Sequence, residues 1–391
     1  MRPFYFGEAE MIYFDNSATT KVNDSVLKTY NAASMDYFGN PSSLHKLGLK
    51  AYELLETSRK QIASLMGFKQ DEVVFTSGGT EGNNWIIKGT AFKKREFGKH
   101  IITTSIEHPS IMNTMHQLEE LGFEVTYLPV DKTGHISADD LKKAIRDDTI
   151  LVSTMAVNNE IGAIQPIHEI ANVLKDYPNI IYHVDAVQAI GKNLQSKFID
   201  PRVDFYTFSG HKFHAPRGIG FIYMKEGKQL EPLMAGGGQE SGLRSGTENT
   251  PAIAGMAKAI RLLKDDEAKK ADKMEQLKEK LVNHLKTLDN VHIFSKIGDD
   301  FAPHIICFTI DGVRGETVVH TFEDRDIYIS TTSACSSKKG LESGTLKAMN
   351  IQEKVATSAV RVSLDESNTE AEMDEFIKNL DEIHDHFQIL N

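Results

Sequence analysis

From about residue 70 to 225 the chain alternates short β-rich runs with helix-patterned stretches. The runs are Val73–Thr76, Ile101–Thr104, Glu124–Leu128, Ile150–Met155, Ile180–Val184, Asp204–Phe208 and Ile219–Met224. Helix-patterned segments such as Ser110–Leu121 and His168–Lys175 lie between several of them. Strand and helix in alternation predicts an α/β domain: a mostly parallel sheet covered by helices on both faces. Such a sheet binds ligands in the loops beyond the carboxyl ends of its strands, so chemistry is sought there.

The pattern changes after Pro251. Met256–Leu288 is rich in Ala, Lys, Glu and Leu and lacks Gly and Pro, which predicts one or two long exposed helices. Beyond it His304–Ile310, Ile327–Ser330 and Ala359–Leu364 read as strands, and Glu370–Phe387 as a closing helix. The expected division is an N-terminal arm over residues 1–14, a large domain over 15–255 and a smaller α+β domain over 256–391. Residues 1–10 precede a second methionine, Met11, and read as an extension outside the core fold, with a true N-terminal arm as the alternative. Gly236–Gly238 and Ser241–Asn249 are expected to form a loop between the domains.

With 391 residues the chain is long enough for two domains. Its 44 Lys and Arg against 55 Asp and Glu give 44 − 55 = −11, which argues against nucleic acid or an anionic membrane as the main partner. The start lacks the regions of a signal peptide, and no apolar run reaches the length of a bilayer span. Two cysteines cannot build a disulfide framework, which fits a reducing cytoplasm. No metal is expected.

Five polar motifs follow five of the predicted strands. Phe208-Ser209-Gly210-His211-Lys212 places a lysine at the sheet's carboxyl edge. A Schiff-base lysine needs such a partly desolvated place, although a lone lysine after a strand is more often a surface charge. Tyr182-His183-Val184-Asp185-Ala186-Val187-Gln188 ends a strand on Asp185, whose carboxylate could hold a pyridine nitrogen in its protonated form or merely cap the next helix. Gln188 could donate to a phenolate oxygen. Phe75-Thr76-Ser77-Gly78-Gly79-Thr80-Glu81 runs from strand to helix through glycines, a moderate match to a phosphate loop. In Ser105-Ile106-Glu107-His108-Pro109-Ser110 an imidazole could stack on an aromatic cofactor or sit satisfied in the core. Val157-Asn158-Asn159-Glu160-Ile161-Gly162 offers amides for a ligand or for a turn.

Together these motifs supply each fixed contact that pyridoxal phosphate requires. With Tyr13–Thr20, Gly236-Gly237-Gly238-Gln239-Glu240 and Arg244-Ser245-Gly246-Thr247, they resemble the NifS/IscS cysteine desulfurases, fold-type I enzymes of class V. The resemblance runs from Met11 over nearly the whole chain, in the family's order. It implies that Lys212 is the Schiff-base lysine, that Asp185 pairs with the pyridine nitrogen, and that Gln188 and Asn159 approach the phenolic oxygen. It implies His108 stacked over the ring and Gly79, Thr80, Ser209 and His211 around the phosphate. Thr247 would reach the phosphate of the neighbouring subunit, which implies a homodimer. Arg361, in Val360-Arg361-Val362-Ser363-Leu364, matches the arginine that grips the substrate carboxylate. One departure is Ala215-Pro216-Arg217-Gly218, where the family has Gly-Pro-Lys-Gly.

The cysteines separate by context. Cys307 lies in the apolar run His304–Ile310 and reads as inert core. Cys335 lies in a small, polar stretch with Lys338 and Lys339 nearby, which favours thiolate, and it matches the Ser-Ala-Cys loop of the family's first group. The implied activity turns L-cysteine into L-alanine and leaves a persulfide on Cys335 for an acceptor protein, an iron–sulfur scaffold or a tRNA-thiolating enzyme. The rivals are an aminotransferase or selenocysteine lyase of the same class, and a non-catalytic sulfur-relay scaffold.

Overall fold

The computed structural model describes residues 11–332 and 343–390. The chain opens on a two-residue strand, β1 (Ile12–Tyr13), and two helices, α1 (Asp24–Asp36) and α2 (Lys46–Met66). The alternating region follows as β2 (Val73–Thr76), α3 (Gly79–Lys94), β3 (His100–Thr104), α4 (Pro109–Glu120), β4 (Glu124–Leu128), β5 (Thr149–Met155), β6 (Ile181–Asp185), β7 (Phe205–Ser209) and β8 (Gly220–Met224). The seven predicted runs are thus strands, with boundaries within two residues of the apolar pattern. They form one sheet in the order β2-β8-β7-β6-β5-β3-β4. All pairs are parallel except those made by β8, which runs antiparallel to both β7 and β2.

Two compact units divide the chain. The larger comprises Thr19–Asn158 and Ala163–Ala268 and contains this sheet. Its strands are buried along their whole length apart from β4 at the edge and Tyr223 of β8, as strands of a sheet covered on both faces should be. Trp85, Ile86 and Ile87 of α3 and Ile111, Met115 and Leu118 of α4 pack with the strand side chains Ile101, Leu151 and Phe205 in one core. The helix Thr250–Lys264 packs on α1 and α2 through a stripe that buries Ile253, Met256, Ile260 and Leu263. It therefore belongs with the sheet, and the cut falls after Ala268, later than the sequence reading puts it.

Among the described residues, the smaller unit gathers Met11–Ala18, Asn159–Gly162 and those from Lys269 onward. Its strands are β9 (Val291–Ile293), β10 (Ile305–Ile310), β11 (Ile327–Tyr328), β12 (Ser330–Thr331) and β13 (Ala359–Ser363). Four of them make an antiparallel sheet in the order β12-β13-β10-β9. β1 pairs in parallel with β11, Ile12 opposite Ile327, and Asn16 donates its side-chain amide to the Ser363 carbonyl across 347 positions of sequence. Phe14, Ile306, Phe308, Phe322, Val360 and Phe376 fill its core. Among the described residues no helix is long and apolar enough to cross a membrane.

Candidate active site

Lys212 lies where β7 ends, on one 3₁₀ turn over Gly210–Lys212. Gly210 suits that turn because a Cβ there would stand 2.9 Å from the Ile219 carbonyl oxygen. Lys212 and His211 are half-buried. His211 places Nδ1 3.3 Å from Thr19 Oγ1. Its pKa is pushed down to about 4, by burial first and then by the charges of Lys212 and Arg217.

Asp185 ends the neighbouring strand β6 and is buried. Its Oδ1 accepts from the Val187 N–H at 3.0 Å and its Oδ2 from the Asn83 side-chain amide at 2.8 Å. Two residues earlier, on the same face of the strand, His183 lies between Ser153 Oγ at 2.8 Å and Thr207 Oγ1 at 2.9 Å. Burial holds the His183 pKa down to about 3, so the ring is neutral. Gln188, in the turn after Asp185, is half-buried.

His108 caps α4. Its Nδ1 accepts the Ser110 N–H at 3.1 Å, and Pro109 takes the first helical position, where no backbone donor is missed. Burial lowers the basicity of His108; the Lys212 charge adds to that effect and the Asp185 charge opposes it. Three groups far apart in sequence, His108, Asp185 and Lys212, therefore stand within electrostatic reach at the carboxyl edge of the sheet. Glu107, beside His108, is buried with Oε1 accepting from Thr104 Oγ1 at 2.6 Å and the Met155 N–H at 2.9 Å. Burial pushes its carboxyl up to about 8, with a smaller contribution from the Asp185 charge.

The strand-to-helix turn at Gly78–Thr80 leads into α3, whose N-cap Gly78 carries no side-chain cap. The first turn of a helix directs N–H groups outward with a partial positive charge. Gly79 lets the turn pass close to its neighbours, since a Cβ there would come within 2.9 Å of Val187 Cγ2 and 3.4 Å of Ser209 Cβ. Glu81, in the same turn, would repel an anion, but Arg244 engages it with two hydrogen bonds of 2.8 and 3.1 Å. Gly79, Ser209 and the chain after Asp185 thus meet around a small cradle at the start of α3. The cradle fits a phosphate and the adjacent His108, Asp185 and Lys212 fit an aromatic aldehyde. Thr80 is exposed in that turn, and Thr247 is exposed on the loop after Arg244.

A second cluster lies in the smaller unit. Arg361, on β13, is buried; Nη1 donates to the Asn159 carbonyl and Nη2 to Asp15 Oδ1, each at 2.9 Å. A guanidinium carries five N–H donors, so these two contacts leave three. One of them, on Nε, is buried without a partner among the described residues. Asn159 and Arg361 are therefore brought together, though by the Asn159 backbone and not its side chain. Next to Asn159, Glu160 accepts a hydrogen bond from Ser343. Cys307 is fully buried in β10, and burial pushes its thiol far up, so it stays protonated. Cys335 lies outside the described residues.

Sequence reasoning assigned no role to Asn83, Ser110 or Glu107. Asn83 had a readable signal: it follows Gly79 by four residues on α3, one turn on and on the same face. Arg59 had none. It grips Glu240 through two hydrogen bonds of 2.7 and 2.8 Å, and the same carboxylate accepts the Phe75 N–H at 2.9 Å, which ties the glycine-rich loop to β2.

The model of the aminotransferase class-V family matches residues 12–376. A NifS/IcsS protein homolog of Lactobacillus delbrueckii subsp. bulgaricus is 61% identical over 97% of this chain and 99% of its own length. Cysteine desulfurase IscS of Methanosarcina thermophila is 40% identical over 96% of this chain and 92% of its own. A solved structure of a NifS-like protein superposes with a TM-score of 0.89 at 39% identity, over 95% of this chain and 99% of that one. The chain belongs to the aminotransferase class-V family and, within it, to the NifS/IscS-type cysteine desulfurases.

Proposed function

We propose that the protein binds pyridoxal phosphate and converts L-cysteine to L-alanine, with the sulfur held as a persulfide on Cys335 and passed to an acceptor protein. The observation that carries this reading is the convergence of Lys212, Asp185 and His108 beside the uncapped helix start at Gly79. When bound, the cofactor supplies an electron sink that acidifies the substrate's Cα–H and makes its C–S bond breakable. Lys212 holds the cofactor through its amine and then takes the Cα proton, a task suited to a lysine at a desolvated sheet edge.

Asp185 would pair with the ring nitrogen, and its two donors, Asn83 and Val187, keep it in place. Gln188 and Asn159 address the phenolic oxygen. His108 would lie over the ring and would move protons through Nε2, since Nδ1 already accepts the Ser110 N–H. Gly79, Thr80, Ser209 and His211 hold the phosphate. Arg361 offers its remaining donors to the substrate carboxylate. The Cys335 thiolate attacks the substrate sulfur, so an S–S bond forms as the C–S bond breaks. The electron pair stays on carbon, which takes a proton and leaves as alanine.

Thr247 serves the phosphate of the neighbouring subunit in a homodimer. The largely exposed Met35 at the end of α1, with Phe38 and Leu44 between α1 and α2, supports a covered surface there. The acceptor is an iron–sulfur scaffold or a tRNA-thiolating enzyme, and the compartment is the reducing cytoplasm. The test is spectroscopic and chemical. Purified protein is expected to absorb as a cofactor-bound enzyme and to release alanine from cysteine. Lys212→Ala is expected to lose the absorbance band, and Cys335→Ser to keep it while losing alanine production. A colourless wild-type protein that takes up no cofactor would overturn the reading.

A further inference from the structure

His108 and Asp185 do not touch in the structure's hydrogen-bond network, yet two side chains join them. Asn83 Nδ2 donates to Asp185 Oδ2 at 2.8 Å and to Ser110 Oγ at 2.9 Å. Ser110 Oγ in turn lies 2.8 Å from His108 Nδ1. The direction of each bond follows from chemistry. A carboxylate oxygen accepts, so the Asn83 group facing Asp185 is the NH2 and not the carbonyl oxygen. The second N–H of that NH2 then meets Ser110 Oγ, which must accept it. His108 Nδ1 already accepts the Ser110 backbone N–H at 3.1 Å, so Nδ1 carries no proton and the Ser110 hydroxyl donates to it. The imidazole proton is left on Nε2.

Asn83 and Ser110 are both buried, 1% and 9% exposed, so water does not compete for these bonds. The arrangement has a cost. Asn83 Oδ1 is buried with no partner among the described residues, and turning the amide over would satisfy nothing at Asp185. We infer that Asn83 is a positioning residue that fixes Asp185 and, through the Ser110 hydroxyl, His108 in one donor–acceptor order, so that His108 exchanges protons through Nε2 alone. Its consequence for catalysis rests on the proposed roles of Asp185 and His108. The hydrogen-bond order itself does not, and it is tested without cofactor.

The charged and titratable groups around His108 are Asp185 on β6, Lys212 after β7 and His211 beside it, and Glu107 on its own segment. Substitutions at positions 83 and 110 remove none of these groups, and Ser110→Ala leaves the Asn83 bond to Asp185 intact. The measurement is two-bond proton–nitrogen NMR of histidine-labelled, cofactor-free protein across pH. Wild type is expected to show His108 with the proton on Nε2. A hydrogen bond donated to the neutral ring disfavours its protonation. Asn83→Ala or Ser110→Ala is therefore expected to raise the His108 pKa by roughly half to one unit, the worth of one ordinary hydrogen bond.

The decisive readout is the double variant. If Asn83 acts through Ser110, Asn83→Ala adds nothing to the shift once Ser110 is alanine. Asn83→Ser, which keeps a polar side chain in a smaller volume, replaces Asn83→Ala if the alanine variant fails to fold. A role confined to packing would lower the melting temperature and leave the His108 pKa unmoved. That result, additive shifts, or a proton on Nδ1 in wild type would each overturn the inference. A failure of cofactor binding in wild type would overturn the proposed function and leave this result standing.

Discussion

Glu107 shows how one buried carboxyl couples stability to pH. Its Oε1 is held by Thr104 and Met155, while Oε2 is buried with no partner among the described residues. Burial raises its pKa to about 8 in the folded protein from 4.5 in a free carboxyl. Between those values the unfolded chain loses the proton while the folded chain keeps it. The unfolded state then binds fewer protons, so stability falls as pH rises through that window. The loss is of the order of a few kcal/mol. Glu107→Gln cannot ionise, and melting curves at pH 5 and pH 8 are expected to show the variant gaining on wild type at the higher pH. An equal difference at both would mean that Glu107 is charged in the fold. Glutamate beside histidine was visible in the sequence as part of a motif. Its neutrality was not, because the strand ends that dry it come from Thr104 and Met155, residues with no polar pattern of their own.

At the scale of elements, the strands were the most legible feature. Runs such as Ile150–Met155 are rich in apolar residues and buried throughout because both faces of the sheet are covered. Helices α1 and α2 had no such clarity. In α2 the buried Ala51, Leu55, Ile62 and Met66 share the helix with exposed Leu47, Leu49 and Tyr52. Apolar residues on both sides blur the helical period, and the proposed subunit contact accounts for the outer set. The buried Arg59–Glu240 pair was invisible for another reason: its partners stand 181 positions apart. Removing either partner strands a buried charge, which costs about 3–5 kcal/mol. Denaturant unfolding of Arg59→Met is expected to show a loss of that size. The double variant Arg59→Met with Glu240→Leu is expected to recover part of it, and a strictly additive double variant would remove the pair from the account.

For the whole molecule, the sequence pattern separated a sheet region from a helical and α+β remainder but misplaced the joint. The assignment of the N-terminal residues and Asn159–Gly162 to the smaller unit depends on pairings between distant positions, and local periodicity carries no record of those. The proposed homodimer makes a prediction of its own. Thr247→Ala damages the phosphate site of the neighbour, whereas Lys212→Ala inactivates its own site. Mixing the two variants under subunit exchange then creates dimers with one intact site. Activity at low cofactor concentration is expected to rise above that of either variant alone. If it stays at the average of the two variants measured alone, Thr247 acts within its own subunit.

The pairing of β1 with β11, and of Asn16 with Ser363, sets a schedule for biosynthesis. A strand that leaves the ribosome near the start has nothing to zip onto until nearly all of the remaining chain has been translated. The sheet unit has all its strands by Met224 and can condense while translation continues. The smaller unit is completed only at the end, so premature termination before Ser363 leaves the Phe14 side of its core open to chaperones and proteases.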